Sequence, residues 1–437
     1  MTADAPSVWL TTLGCAKNQV DSEKIEGLLV EAGYRRAASA PEADVVMVNT
    51  CAFIEAARRE SIDVVLELAE SKRSGASVVV VGCMAQRYET ELADALPEVD
   101  AVVGMDRYGE LVGRLDELTE WQPIRLASSS MDILYEVRRP APSTPFAYVK
   151  VAEGCDKPCT FCAIPQFRGA QRSRPPVNIR TEIESLVGHG VGEIVLVAQD
   201  LAAYGRDIGA PGGIVELLRF VGDIDGLRRL RLLYLYPREI TDSLIGEMAS
   251  NPIVAAYFDL SLQHASGRLL RAMRRPGDGR RHLELIDRIR QASPDAALRS
   301  SFIVGFPGET EDDVDELAGF LEEARLDWGG FFPYSPEEGT AALSLPGRVD
   351  PDVALERLRR LQETQDRLTA ERNSEQIGSR LEVVVDTVED GSAVARSHRE
   401  APEIDGVILL DRGKPGEWLT ARITGAYGQE LVGEVVA

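Results

Sequence analysis

The stretch "EGCDKPCTFC", residues 153–162, sets three thiols close together, at Cys155, Cys159 and Cys162. Three more, Cys15, Cys51 and Cys83, are dispersed, but each directly follows a strand-like run, in "LTTLGC", "VVMVNTC" and "VVVVGC". No cysteine follows Cys162, so all six fall into two groups of three. A structural zinc site wants four protein ligands, and the histidines, His189, His264, His282 and His398, stand far from both groups in sequence. A four-iron cluster takes one thiolate per iron, so three cysteines leave one iron open to chelate another molecule. The plainer alternative for Cys15, Cys51 and Cys83 is that small thiols at strand ends fill a core. Disulfides are not expected. The N-terminus "MTADAPSVWLTTLG" has no basic region followed by a long apolar run, and no stretch approaches the eighteen apolar residues of a membrane span. A cytoplasmic protein with reduced thiols is the expectation.

These residues need a frame to bring them together. A chain of 437 residues is too long for one core and suggests two or three domains. Up to about residue 125, short β-branched runs alternate with helical patterns, which reads as an open parallel α/β sheet. Residues 126–145 are a linker, its end "RRPAPSTP" (138–145) being too rich in proline for helix or sheet. From 146 to 370 the alternation resumes, with candidate strands near 147–153, 193–199, 230–235, 257–262, 298–304 and 329–334. Six βα units are too few to close an eight-unit barrel, so a partial, open (β/α)6 barrel follows. Residues 371–437 carry about five short strands with turn signals, expected to form a small antiparallel β-barrel.

On this frame Cys15, Cys51 and Cys83 all follow strands of one parallel sheet, whose carboxyl ends share one edge, where such sheets bind ligands. Cys155, Cys159 and Cys162 lie in the loop after the first strand of the partial barrel, on the face where barrel enzymes place their chemistry. Gln199 and Asp200 end the second barrel strand and are positioned to contact a cofactor or substrate, or else to cap the next helix. Gly305 and Gly308, in "SFIVGFPGE", permit close approach of backbone to a ligand. Arg168, Arg172 and Arg174 offer guanidinium groups for a carboxylate or phosphate, or simply face solvent. His264 reads as a structural hydrogen-bonding residue.

The spacing Cys-x3-Cys-x2-Cys after a first barrel strand resembles the radical S-adenosylmethionine (SAM) superfamily. "GCAKNQVDSEKIEGLL", "VNTCAFIEAARRESID", "GCMAQRY", "EGCDKPCTFCAIPQFRGAQRSRP", "LQHASGRLLRAMRR", "SFIVGFPGETEDD" and "FFPYSPEEGTAA" are similar to motifs of its methylthiotransferases, and the C-terminal region is similar to their TRAM domain. The resemblance extends over essentially the full length. It implies two [4Fe-4S] clusters held by three cysteines each. The cluster of Cys155, Cys159 and Cys162 would bind SAM at its open iron and generate a 5′-deoxyadenosyl radical. The cluster of Cys15, Cys51 and Cys83 would carry the sulfur to be inserted, which one SAM methylates while a second makes the radical. It further implies that the strand of Gly305 and Gly308 lies along the adenosine, and that a reductant such as flavodoxin or ferredoxin supplies electrons. The sulfur donor is unknown.

Within that family one branch modifies the β-carbon of an aspartate in small-subunit ribosomal protein S-twelve, and another modifies an adenosine of tRNA. "CAKNQVDSE", "TCAFIEAARRESID" and "ARSHREAPEIDGVILL" (395–410) resemble the ribosomal-protein branch. The formal charge of −23 points the same way, since so acidic a chain repels nucleic acid and suits a basic protein. Residues 374–437 alone hold about twelve acidic against about six basic side chains, where a tRNA-gripping barrel would be basic. Glu400, Glu403 and Asp405 are expected to help dock the basic partner. The tRNA branch is the alternative.

Overall fold

Runs of valine buried on both faces are central strands of a covered parallel sheet, and the N-terminal region is built on two of them. A computed structural model describes residues 5–120, 133–210 and 212–436. Its first strands are β1 (Ser7–Thr12), β2 (Arg35–Arg36), β3 (Val45–Thr50), β4 (Ser77–Gly82) and β5 (Ala101–Val103), and β3 is buried at every position. They pair in parallel in the order β2-β1-β3-β4-β5. Helices α1 (Ala16–Glu31), α2 (Glu55–Ser71), α3 (Cys83–Ala95), α4 (Leu111–Thr119) and α5 (Ile133–Glu136) accompany the sheet. The winding reverses between β1 and β3, and doubly wound sheets bind ligands outside the carboxyl ends of the strands at such a switch. Cys15 and Cys51 follow those two strands.

Two compact units divide the chain, residues 1–141 with 163–170, and residues 142–162 with 171–437. The short helix α6 (Ile164–Arg168), just past Cys162, therefore belongs to the first unit, with Ala163 and Phe167 buried in its core. Part of the expected linker, residues 126–132, lies outside the described residues. Residues 138–145 form neither helix nor strand.

In the second unit, β6 (Phe146–Lys150), β7 (Ala152–Glu153), β8 (Arg172–Ser173), β9 (Glu193–Val197), β10 (Arg229–Leu232), β11 (Tyr257–Gln263), β12 (Ala297–Val304) and β13 (Trp328–Pro333) follow in order. Six are parallel barrel strands, in two sheets ordered β10-β9-β6 and β11-β12-β13, bridged at Leu230–Val254 and Leu235–Leu260. β7 and β8 pair separately as a short antiparallel ladder. Helices α7 (Pro176–Gly188), α8 (Gly213–Val221), α9 (Asp242–Ser250), α10 (Gly267–Ala272), α11 (Gly279–Ala292), α12 (Glu311–Ala324) and α13 (Pro351–Ser374) connect and cover the strands. Thr310 and Asp313 close a reciprocal capping box on α12.

The chain ends in a closed five-stranded barrel of β14 (Arg380–Glu389), β15 (Ser392–Arg396), β16 (Ile408–Leu410), β17 (Trp418–Tyr427) and β18 (Glu430–Val436), ordered β14-β15-β16-β18-β17. It is not wholly antiparallel as expected: β16 and β18 run parallel, Ile408 opposite Leu431. The reason is arithmetic. An odd number of strands cannot alternate direction around a closed ring, so one neighbouring pair must be parallel.

The loop between β15 and β16 overturns a second expectation. Instead of displaying acid to a partner, it fills the amino-terminal mouth of the partial barrel. Glu193, first residue of β9, is wholly buried, and its carboxylate meets Arg231 at 2.8 Å, Arg396 at 2.9 Å and Arg229 at 3.5 Å. Arg231 also donates to the carbonyls of His398 (2.8 Å) and Ser397 (3.0 Å). Glu400, 1% exposed, accepts from the Ser397 N–H and hydroxyl. The Asp405 side chain, also 1% exposed, accepts from the Tyr257 hydroxyl at 2.6 Å and lies 3.3 Å from Arg299. Glu403 is exposed overall, yet accepts from the Tyr148 hydroxyl at 2.9 Å. All three acids serve the joint between the two barrels, because a plug rich in backbone carbonyls and carboxylates matches the arginines that line the mouth.

Candidate functional site

Two glycines decide how the dispersed thiols are presented. Gly82 has φ of 93°, and a Cβ there would meet Asn49 Oδ1 at 2.1 Å and the Thr50 carbonyl at 2.7 Å. Only glycine lets β4 turn at once into α3, which places Cys83 in the first turn of that helix. Gly14, with φ of 95°, carries Cys15 past Cys51 so tightly that a Cβ would lie 2.9 Å from the Cys51 sulfur. Cys15 is the N-cap of α1. Helix N-termini favour anions and lower thiol pKa values.

Asn18 and Arg168 tie this group together. Asn18, fully buried, donates to the Leu13 carbonyl at 2.9 Å and the Thr50 carbonyl at 3.1 Å, and its oxygen accepts from the Cys83 thiol at 3.4 Å. Arg168 donates to Cys83 Sγ at 2.9 Å and to Asn18 Oδ1 at 2.7 Å. Burial opposes the Cys15 thiolate, but Lys17, Arg168 and the backbone N–H groups of Asn18 and Lys17 outweigh it and hold that thiol below its ordinary value. Burial pushes Cys51 up, and pushes Cys83 up to about 12 against the pull of Arg168. Thiols of this kind give up protons as a metal takes them.

In the second unit, Cys155, Cys159 and Cys162 are all partly exposed, and burial lifts Cys155 to about 11. Thr160, between the last two, anchors the loop: its N–H donates to the Met273 carbonyl (3.1 Å), its hydroxyl to the Ala272 carbonyl (2.9 Å), and its own carbonyl accepts from Ala342 (2.9 Å). Ala272, Met273 and Ala342, within two of the motifs quoted above, thus hold the cysteine loop in place. Arg275, stacked 3.9 Å from the centre of the Tyr236 ring, points Nη1 at Cys159 Sγ across 3.6 Å. None of the six cysteines is joined in a disulfide. Among the described residues no three Cys, His, Asp or Glu side chains converge tightly enough for a single metal ion. A four-iron cube binds its thiolates on separate irons, so its ligands stand around it rather than at one point.

Close to this loop a chain of polar groups runs along the strand ends. Lys150 donates to Glu153 Oε2 at 2.6 Å, and Gln199 donates to Glu153 Oε1 at 2.6 Å. Lys157 bridges Asp200 (3.2 Å) and Glu239 (2.5 Å), and it is shared with Arg206 at Glu239, whose carboxyl is held down at about 2 although burial opposes this. Asp200 stands before the single 3-10 turn Leu201–Ala203 and makes no capping bond, so capping does not explain it. Gln199 Oε1 and Asp200 Oδ1 are buried without a hydrogen bond.

The remaining expected residues divide. A Cβ at Gly305 would meet Ala354 of α13 at 2.6 Å, so what approaches that backbone is a helix; Gly308 donates to the Gly347 carbonyl at 2.7 Å. Arg174 is structural, donating to Asn178, Glu182 and the Lys150 carbonyl, while Arg172 is exposed. His264 is fully buried and accepts from the Ser266 N–H at 3.0 Å, as expected of a structural residue. The role of Asn18, and the thiol contact of Arg168, went unread; the glycine before Cys15 and before Cys83 was the available signal.

The chain matches three family models: residues 7–104, described as uncharacterized protein family UPF0004; residues 149–321, the radical SAM superfamily; and residues 377–436, the TRAM domain. It is 41% identical over 470 residues to ribosomal protein uS12 methylthiotransferase RimO of Kineococcus radiotolerans, covering 98% of this chain and 97% of that one. The protein of the same name from Anaeromyxobacter sp. is 43% identical over 443 residues, covering 99% and 94%. Among solved structures, the radical SAM methyltransferase TsrM from Kitasatospora setae aligns with a TM-score of 0.57 at 14% identity, over 85% of this chain and 90% of that one, a likeness of fold alone.

Proposed function

The chain belongs to the RimO family of ribosomal protein uS12 methylthiotransferases, and from that premise we propose that it installs a methylthio group on the β-carbon of an aspartate in uS12. It is a transferase of the radical SAM type. The observation that carries this reading is identity of about two residues in five along the whole of both chains. Conserved length of that kind includes the thiol-bearing loops and the C-terminal barrel together.

On this reading Cys155, Cys159 and Cys162 hold one [4Fe-4S] cluster, and Cys15, Cys51 and Cys83 hold a second. The donor chemistry fits: each trio offers three thiols and one arginine N–H aimed at a sulfur. A reduced four-iron cluster, when bound, supplies the electron that splits SAM into methionine and a 5′-deoxyadenosyl radical. The chain's own groups do the rest of the positioning. Gln199 Oε1 and Asp200 Oδ1, buried and unpaired, are acceptors for the ammonium of an amino-acid ligand such as SAM. Lys157 keeps Asp200 from facing Glu239 as an uncompensated second anion. The α1 N-terminus, with Lys17 and Arg168, favours thiolate at Cys15, whereas Cys83 keeps its proton until a metal displaces it. Flavodoxin or ferredoxin is the class of reductant, and the cytoplasm is the compartment. No helix among the described residues is long and apolar enough to cross a membrane.

Mass spectrometry of uS12 and of tRNA from cells with and without the gene tests the substrate. The methylthio mass on the uS12 aspartate should disappear with the gene while tRNA methylthioadenosine persists. The reverse pattern returns the decision to the tRNA branch.

A further inference from the structure

Arg168 is 3% exposed and held on several sides. One terminal nitrogen, Nη2, reaches Asn18 Oδ1 at 2.7 Å and Cys83 Sγ at 2.9 Å, while Nη1 lies 3.5 Å from Asp21. It is aimed from behind: Phe167 is buried in the N-terminal core beneath the Arg87 guanidinium, 5.9 Å from its ring centre. Through Asn18 the same guanidinium is coupled to the carbonyls of Leu13 and Thr50, which lie just before Cys15 and Cys51. A buried ion pair with Asp21 would by itself explain an arginine in this core. It would not account for the 2.9 Å contact with sulfur, which becomes a charge-assisted hydrogen bond to thiolate once a metal displaces the Cys83 proton.

We propose that Arg168 is a positioning residue for the cluster of Cys15, Cys51 and Cys83, donating to the Cys83 thiolate and thereby raising that cluster's reduction potential. The inference rests on the reading that these cysteines hold a cluster. Positive charge and hydrogen bonds at ligating sulfur stabilise the reduced, more negative state, and both are among the settings of iron–sulfur potentials. Arg275 stands 3.6 Å from Cys159, so the tighter contact at Cys83 sets the two sites apart.

The test begins from a Cys155→Ala, Cys159→Ala, Cys162→Ala chain, in which only the N-terminal site can load. If this parent binds no iron after anaerobic reconstitution, the cluster reading has failed and Arg168 is not the cause. With about four irons per chain, redox titration followed by electron paramagnetic resonance is compared for the parent, Arg168→Lys and Arg168→Gln. The glutamine variant should titrate at a clearly more negative potential and the lysine variant between the two. An unmoved potential in a folded, iron-loaded Arg168→Gln chain overturns the proposal. Should the variants fail to load, the parent decides: with nitrogen-15-labelled arginine, its reduced cluster should show a nitrogen-15 hyperfine coupling, and the lack of one overturns the proposal equally.

Discussion

At the scale of single residues, the N-terminal thiols depend on atoms that are missing. Gly82 leaves no room for a methyl group, whose carbon would fall 2.1 Å from Asn49 Oδ1, and its φ of 93° suits no L side chain. Gly82→Ala should therefore cost more than about 1 kcal/mol and displace Cys83. On the proposed reading, reconstituted wild type should hold about eight irons per chain and the variant about four, while reductive cleavage of SAM to 5′-deoxyadenosine persists, because that reading assigns the step to the other trio. Iron analysis and product assay on a variant shown to be folded would check this; loss of SAM cleavage would deny the two sites separate tasks. The cysteines were legible because sulfur is rare and their place after strands could be read from β-branched runs. Asn18 was not legible, since nothing local tells a buried asparagine that braces two loops from one on a helix surface. Arg168 stood in view, but a guanidinium declares its charge and not its partner.

Among the secondary-structure elements, the six barrel strands followed from their hydrophobic runs, and so did the five of the terminal barrel. Strand direction in the latter did not, because pairing is decided by ring closure and not by the segments themselves. Equally hidden was the contact between β9, β10 and β15, which brings Glu193 under three arginines. Burial alone would raise its carboxyl, but Arg396, Arg231 and Arg229 hold it at about 2. Its folded value lies below its ordinary value of 4.5, so the stabilisation is complete above 4.5 and fades as pH falls toward 2. Glu193→Gln leaves buried arginines short of a counter-charge and should lose about 3–5 kcal/mol at pH 7. Denaturant melts of both proteins from pH 7 to pH 3 should show that gap narrowing below pH 4.5, as the wild-type side chain takes up the proton that glutamine mimics. A gap that is constant with pH would mean that shape, not charge, is what Glu193 contributes.

For the whole molecule, the net charge of −23 still suits a basic ribosomal protein, but two of the three acids expected to present it, Glu400 and Asp405, are internal. Replacing Glu400 by Gln and Asp405 by Asn should lower thermal stability by several degrees, through lost buried hydrogen bonds of about 1–3 kcal/mol each. It should leave the salt dependence of uS12 binding unaltered. Binding titrations at two ionic strengths beside a thermal melt would separate these effects, and weaker binding at low salt by a normally stable variant would restore the docking role. The plug between β15 and β16 also has a consequence in time. Glu193 waits for a partner 203 residues further along the chain, and Tyr148 for one 254 residues away. Contacts of such separation form late, and a chain emerging from its amino end exposes the arginine-lined mouth until the segment between β15 and β16 has been made. An enzyme that modifies a component of the ribosome thus cannot seal its own barrel until the ribosome has made the segment that plugs it.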